Sequence, residues 1–104
     1  MGMPRRGIRV VGLPYEAVVY INNQVLIPAS LSRALGINHY RHAIITIEYR
    51  GFPITFRARL LRPRHTDSRQ FTIPRHVREG FGIKPLDTVR VVRIEPVNGE
   101  ETPK

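Results

Sequence analysis

The chain contains no cysteine and no tryptophan. Without thiols, disulfides and thiolate metal centres are excluded outright, and the expectation is a cytoplasmic location. Acidic residues are scarce too: 8 Asp plus Glu, of which Asp67 and Asp87 are the only aspartates. They lie too far apart in sequence to suggest a carboxylate pair for acid–base work or for Mg²⁺. His39, His42, His65 and His76 lack zinc-site spacing. Ser30, Ser32 and Ser68 have no evident base beside them. The glycines spell neither a P-loop nor a dinucleotide fingerprint, and no apolar run is long enough to span a bilayer. The expectation is therefore a non-enzyme with no metal, no cofactor and no membrane partner.

What the chain does have is positive charge. Lys plus Arg number 17, for a net charge of +9, and 15 of the 17 are Arg. Arg carries a rigid fork of donors that matches phosphate, where Lys is a mobile point charge. A field of this sign attracts polyanions.

It also has a repeat. Residues 24–38, Q-V-L-I-P-A-S-L-S-R-A-L-G-I-N, return as residues 70–84, Q-F-T-I-P-R-H-V-R-E-G-F-G-I-K, at an offset of 46. Gln24, Ile27, Pro28, Gly36 and Ile37 recur as Gln70, Ile73, Pro74, Gly82 and Ile83. Neither copy alone could bury its apolar face, so two copies of one strand–helix–strand unit must pack on each other. In each, proline opens a short helix, where its missing N–H costs nothing, and glycine closes it in the left-handed conformation.

Between the helices, Ala43, Ile45 and Ile47 alternate with polar neighbours, as do Ile54, Phe56 and Ala58 beyond Arg50-Gly51. Folding there sets Ile47 against Ile54, Ile45 against Phe56 and Ala43 against Ala58, a register that a one-residue slip would turn inside out. A strand at Ile8 and Val10 is expected first, reaching Leu13. A hairpin turn at Asn22-Asn23 is expected to put Tyr20 opposite Val25 and Val18 opposite Ile27. The last strand, Thr88 to Glu95, needs a bulge near Val92 for Ile94 to reach the core. The expected core is Leu31, Leu35, Ile45, Ile47, Ile54, Phe56, Val77, Phe81 and Val89.

The run I-P-R-H-V-R-E-G-F-G-I-K-P-L-D from Ile73 to Asp87 resembles the AbrB-like family, although Leu86 stands where that pattern has glycine. Two such units in one chain resemble the cradle-loop barrels, especially the small archaeal RIFT barrels; a thermophile origin is the bland alternative for the basic composition. The resemblance implies a mostly β, six-stranded, pseudo-twofold closed barrel with two short helices, and DNA binding as an AbrB-like transcription regulator or chromatin component. One domain is expected over 1–104: a basic arm 1–7, a barrel 8–97 made of repeats at about 8–50 and 54–96, and a polar tail 98–104. It should be complete as a monomer, with a dimer swapped at Arg50-Gly51 as the alternative.

Two clusters are candidates for nucleic-acid contact, with duplex DNA the expected ligand. One is Arg57, Arg59, Arg62, Arg64, His65 and Arg69, on a strand face running into a polar segment that departs from the repeat. Arginines two apart on a strand point the same way and can track phosphates; the bland alternative is a solvated face paired to Glu48 and Asp67. The other cluster is Arg75, His76 and Arg78, balanced by Glu79; the resemblance places Arg75 and Arg78 at DNA-contacting positions, and Arg78 could equally tie the helix to Asp87. Two further readings compete. One is a protein-interaction barrel anchored by Phe52, Phe71 or Tyr40; the other is a nucleotide- or flavin-linked enzyme like the archaeal riboflavin kinases.

Overall fold

A computed structural model describes residues 12–63 and 65–97. The basic arm, the strand expected at Ile8 and Val10, Arg64 and the polar tail lie outside the described residues. The elements are β1 (Tyr15–Val18), β2 (Gln24–Ile27), α1 (Ala29–Leu35), β3 (His42–Tyr49), β4 (Phe52–Arg59), β5 (Arg69–Thr72), α2 (Arg75–Phe81) and β6 (Thr88–Val97), with a 3₁₀ turn at Ile37–His39 after α1.

The β3–β4 hairpin has the register read from its alternation: Ile47 faces Ile54, Ile45 faces Phe56 and Ala43 faces Ala58. Arg50 and Gly51 take positive φ at its turn (53° and 85°), the twist that two-residue hairpins need. The β6 bulge is present as well. Thr46 pairs with Arg93 but Ile47 with Val91, so Val92 is the extra residue, and Ile94 is buried while Arg93 is exposed.

The sheets do not close into a barrel. One sheet has the order β1-β6-β3-β4, and β2 and β5 form a separate two-stranded ribbon. Among the described residues, the link between the chain leaving β4 and the ribbon is an isolated bridge, Leu61 with Gln70. The expected closed barrel fails because β2 and β5 are four residues each and run almost at once into Pro28 and Pro74, which cannot extend a ladder. The hairpin expected at Asn22-Asn23 is also corrected. The turn exists, with Tyr20 N–H donating to the Gln24 carbonyl (2.9 Å) and Asn23 N–H to the Tyr20 carbonyl (2.8 Å). Its arms then diverge, β1 onto β6 and β2 onto β5. That split serves burial better, since Tyr15 and Ala17 meet Val91 and Val89 while Val25 meets Phe71.

The duplication survives in the pairing. Val25 and Phe71 are counterparts at offset 46 and face each other, so the β2–β5 ladder is symmetric about that pair. β3 and β6 are counterparts and also pair with each other. Tyr15 pairs with Val91 as Phe56 pairs with Ile45, which makes β1 the counterpart of β4 at an offset of 41, not 46. The slip lies in the connection that follows. Tyr20 bonds Gln24 across residues 21–23, while Leu61 bonds Gln70 across residues 62–69, five residues longer.

Both helices run as expected from proline to a left-handed glycine, Gly36 at φ 69° and Gly82 at φ 73°. Leu31 and Val77 turn inward, and Ile37 and Ile83 pack back beneath them, all buried. Phe71 is fully buried, its ring 6.0 Å from that of Phe56, and joins ribbon to sheet. Two expected core residues are corrected. Leu35 is only half-buried, and Phe81 is 43% exposed, because α2 ends there after seven residues with its last turn beyond the sheet. No described helix is long and apolar enough to cross a membrane.

Candidate functional site

Alternation along β4 sends Ile54, Phe56 and Ala58 into the core and leaves Arg57 and Arg59 on the outer face, opposite Ile44 and His42. The chain then turns back. Leu60 is buried and donates its N–H to the Arg41 carbonyl at 2.7 Å, while Leu61 and Gln70 exchange two backbone bonds at 2.7 and 2.8 Å. The longer connection, residues 62–69, leaves from this point.

It is a held loop, and Arg69 does the holding. With 7% exposure, its guanidinium donates to the Ser68 carbonyl (2.7 Å), the Thr66 carbonyl (3.1 Å) and the Asn38 carbonyl (2.7 Å). A buried cation is tolerable only with this degree of hydrogen bonding. Thr66 and Ser68 share a 2.6 Å hydroxyl bond, and Asp67 accepts from Arg33 of α1 at 3.1 Å. The loop is thereby fastened to the first copy at two points, α1 and the turn after it.

A groove of about 380 Å³ results, with residues 38–41 on one side, residues 59–62 on the other and Arg69 completing it. No carboxylate of the described residues lines it. Its walls are the two places where the copies differ most: the five-residue-longer loop, and N38-H39-Y40-R41 where the second copy has K84-P85-L86-D87. Among the described residues, the ion pairs engage Arg33, Arg75, Arg90 and Arg93. Arg41, Arg57, Arg59 and Arg62 have no carboxylate within pairing distance there.

The expected contact residues fare differently. Arg57 and Arg59 share a strand face, Arg59 fully outward and Arg57 half-buried. Arg62 is exposed at the groove, its Nε donating to the Thr66 carbonyl at 3.3 Å, and His65 is exposed in the loop. Arg64 lies outside the described residues. Arg69 belongs to the scaffold, since burial and its three carbonyl partners turn it away from solvent. Arg75 pairs with Glu79 on α2 at 2.9 Å. Arg78 donates to the Ile73 carbonyl at 2.9 Å, so it does not tie α2 to Asp87. Neither of the α2 arginines lines the groove. The ion pairs expected for the basic strand also form elsewhere, Asp67 with Arg33 and Glu48 with Arg90 (4.0 Å). Sequence reasoning missed Arg41 as a site residue. The available signal was the break in the repeat at residues 38–42, whose position opposite the loop only the fold reveals.

The opposite end of the sheet is apolar. Phe52 (62% exposed) and Phe81 line a cleft of about 320 Å³ with Tyr49, Arg50 and Gly80, and Leu86 and Ile21 are exposed nearby in the chain's turns. Phe71, expected as a surface anchor, is buried and cannot serve as one. Asp87 orders this end. Its Oδ2 accepts from the Lys84 N–H (2.9 Å) and the Tyr49 hydroxyl (2.7 Å). Those bonds, the backbone one first, hold its carboxyl below the usual carboxylate range, and the bond to Asp87 pushes the Tyr49 phenol up. Burial pushes the Tyr15 phenol well above its ordinary value, and its hydroxyl donates to the Leu26 carbonyl at 2.8 Å, linking sheet and ribbon.

No group of three His, Asp or Glu side chains is arranged to hold a metal ion among the described residues. The chain matches no known family, no curated protein and no solved structure. The AbrB-like and cradle-loop resemblance therefore does not stand, nor does the archaeal origin that came with it, and nothing found supports the high-temperature reading of the composition.

Proposed function

We propose that this protein is a nucleic-acid-binding protein, a binder rather than an enzyme, that engages phosphates as a monomer through the arginines at the basic end of its sheet. One observation carries the reading. Arg41, Arg59 and Arg62 line one groove, Arg57 shares the strand face of Arg59, and no described carboxylate pairs with any of them. A solvated structural face would have spent such charges on ion pairs, as Arg33, Arg75 and Arg90 do. A cytoplasmic location accompanies this reading. Binding is expected to weaken steeply with salt, because each phosphate neutralised releases condensed counterions. The double substitution Arg59→Ala, Arg62→Ala should reduce affinity alike on all sequences and flatten the salt dependence by roughly one to two units of slope. Salt-titrated fluorescence anisotropy with labelled nucleic acid measures both, and absence of binding at low salt would overturn the proposal.

A second reading, a protein-interaction domain, has its own observation: the exposed Phe52 and Phe81 at the cleft of the opposite end. It expects Phe52→Ala to abolish partner binding and leave any nucleic-acid affinity untouched, where the first expects the reverse for Arg59→Ala.

A further inference from the structure

The groove offers more than charge. Its lining includes the half-buried Leu61 beside the buried Leu60, and Tyr40, a residue 42% exposed. Arg41 adjoins Tyr40 in sequence, and Arg59 and Arg62 stand on the facing wall. One partly exposed aromatic ring beside Leu61, with flanking guanidinium groups, supplies the elements of a stacking site. A base with its plane exposed can stack on the ring while its phosphates meet the cations.

The same geometry fits a duplex poorly. Bases in a duplex are already stacked on one another, and reading them requires an element that enters a groove of the nucleic acid. Both helices here are seven residues long, with Leu31 and Val77 buried against the core. A concavity of about 380 Å³ is of the size that encloses a small ligand group, near the lower end of the ~300–1,000 Å³ common for ligand sites.

We propose that the groove between residues 38–41 and 59–62 binds single-stranded nucleic acid, with a base stacked on Tyr40 and the adjoining phosphates held by Arg41, Arg59 and Arg62. This rests on the nucleic-acid reading above and narrows it to single strands, against the duplex expected from the sequence. The pseudo-symmetric position at the other end cannot do the same. There Tyr40 and Arg41 are replaced by Leu86 and Asp87, and Arg59 and Arg62 by Val18 and Ile21. One site per chain is expected.

The test is anisotropy with labelled single-stranded DNA and RNA oligonucleotides of about 12 nucleotides, inside the ~4–16-nucleotide range of such sites, beside a duplex of equal length and salt. The single strands should bind more tightly than the duplex. Tyr40→Ala should weaken them by about 5- to 150-fold, the loss of one stacked base, with Tyr40→Phe retaining affinity and duplex binding unchanged by either. Tyr40 is a surface residue, and a thermal melt of each variant checks that the fold is kept. Equal affinity for single strand and duplex, or a Tyr40→Ala variant that binds single strands as the parent does, overturns the stacking site while leaving the nucleic-acid reading in place. No binding to either form overturns both.

Discussion

Leu86 sits at φ 79°, a conformation that costs an L-residue roughly 1–2 kcal/mol. Its N–H bonds the Val19 carbonyl at 2.7 Å and its neighbour Asp87 accepts from the Val19 N–H at 2.8 Å, so the turn is held in place by β1's continuation. The side chain is 72% exposed and returns little burial for the strain. Leu86→Gly should therefore stabilise the protein by about 0.5–1 kcal/mol in chemical denaturation, strain relief less the entropic cost of glycine; a destabilised variant would contradict this account. Asp87 next to it sets an acid limit. Its folded pKa lies below the ordinary 3.8, so its contribution is complete above about pH 4 and is lost as pH falls through the folded value. Asp87→Asn should lower the melting temperature at neutral pH and flatten the fall in stability between neutral and acid conditions, as a pH series of melts would measure.

At the scale of elements, the connection after β4 departs from its counterpart more than any strand or helix does. β1 and β4 are followed by corresponding turns, but the second is five residues longer and would be an open, fluctuating loop without Arg69. The three carbonyls around that guanidinium are satisfied by a planar fork and not by an ammonium group. Arg69→Met should cost about 2 kcal/mol or more, the loss of hydrogen bonds to a charged donor. Hydrogen exchange should quicken at residues 65–68 while the β3–β4 amides keep their protection. Arg69→Lys should restore only part of it. Equal loss of protection throughout the protein would mean that Arg69 supports the global fold and not the loop.

At the scale of the molecule, the duplicated architecture has been made unequal at its two ends. β3 is eight residues long, so the basic groove at its start and the Phe52–Phe81 cleft at its finish stand about 24 Å apart. The two copies are joined between them by the Val25–Phe71 pair and by the β3–β6 ladder, while Phe71 packs on Phe56 within the second copy. Removing Phe71, which is fully buried, should cost about 3–5 kcal/mol as Phe71→Ala. Phe81→Ala, at the mouth of the cleft, should cost about 1 kcal/mol or less, since much of the ring already meets water. Urea denaturation of the two variants separates them, and similar losses would refute the placement of Phe81 outside the core.

Local chemistry was legible without coordinates. Pro28 with Gly36 and Pro74 with Gly82 mark both helices, alternation sets the β3–β4 register, and the buried position of Ile94 requires the bulge at Val92. Each of these follows from constraints acting over a few residues: a fixed φ, a missing N–H, a period of two. Closure was not legible, because whether β4 meets β5 depends on how far residues 62–69 carry the chain before it pairs again, and a constant offset of 46 concealed the five-residue slip. The groove was hidden for the same reason. Tyr40 and Arg41 lie about twenty residues from Arg62, and only the backbone bond from Leu60 to Arg41 and the hold of Arg69 on Asn38 bring the two segments face to face. Sequence determined the surplus of arginine and the signals of both helices and the β3–β4 hairpin; tertiary packing decided which arginines were spent as structure and which were left at the surface with no described carboxylate beside them, because burial and partners are properties of the folded chain alone.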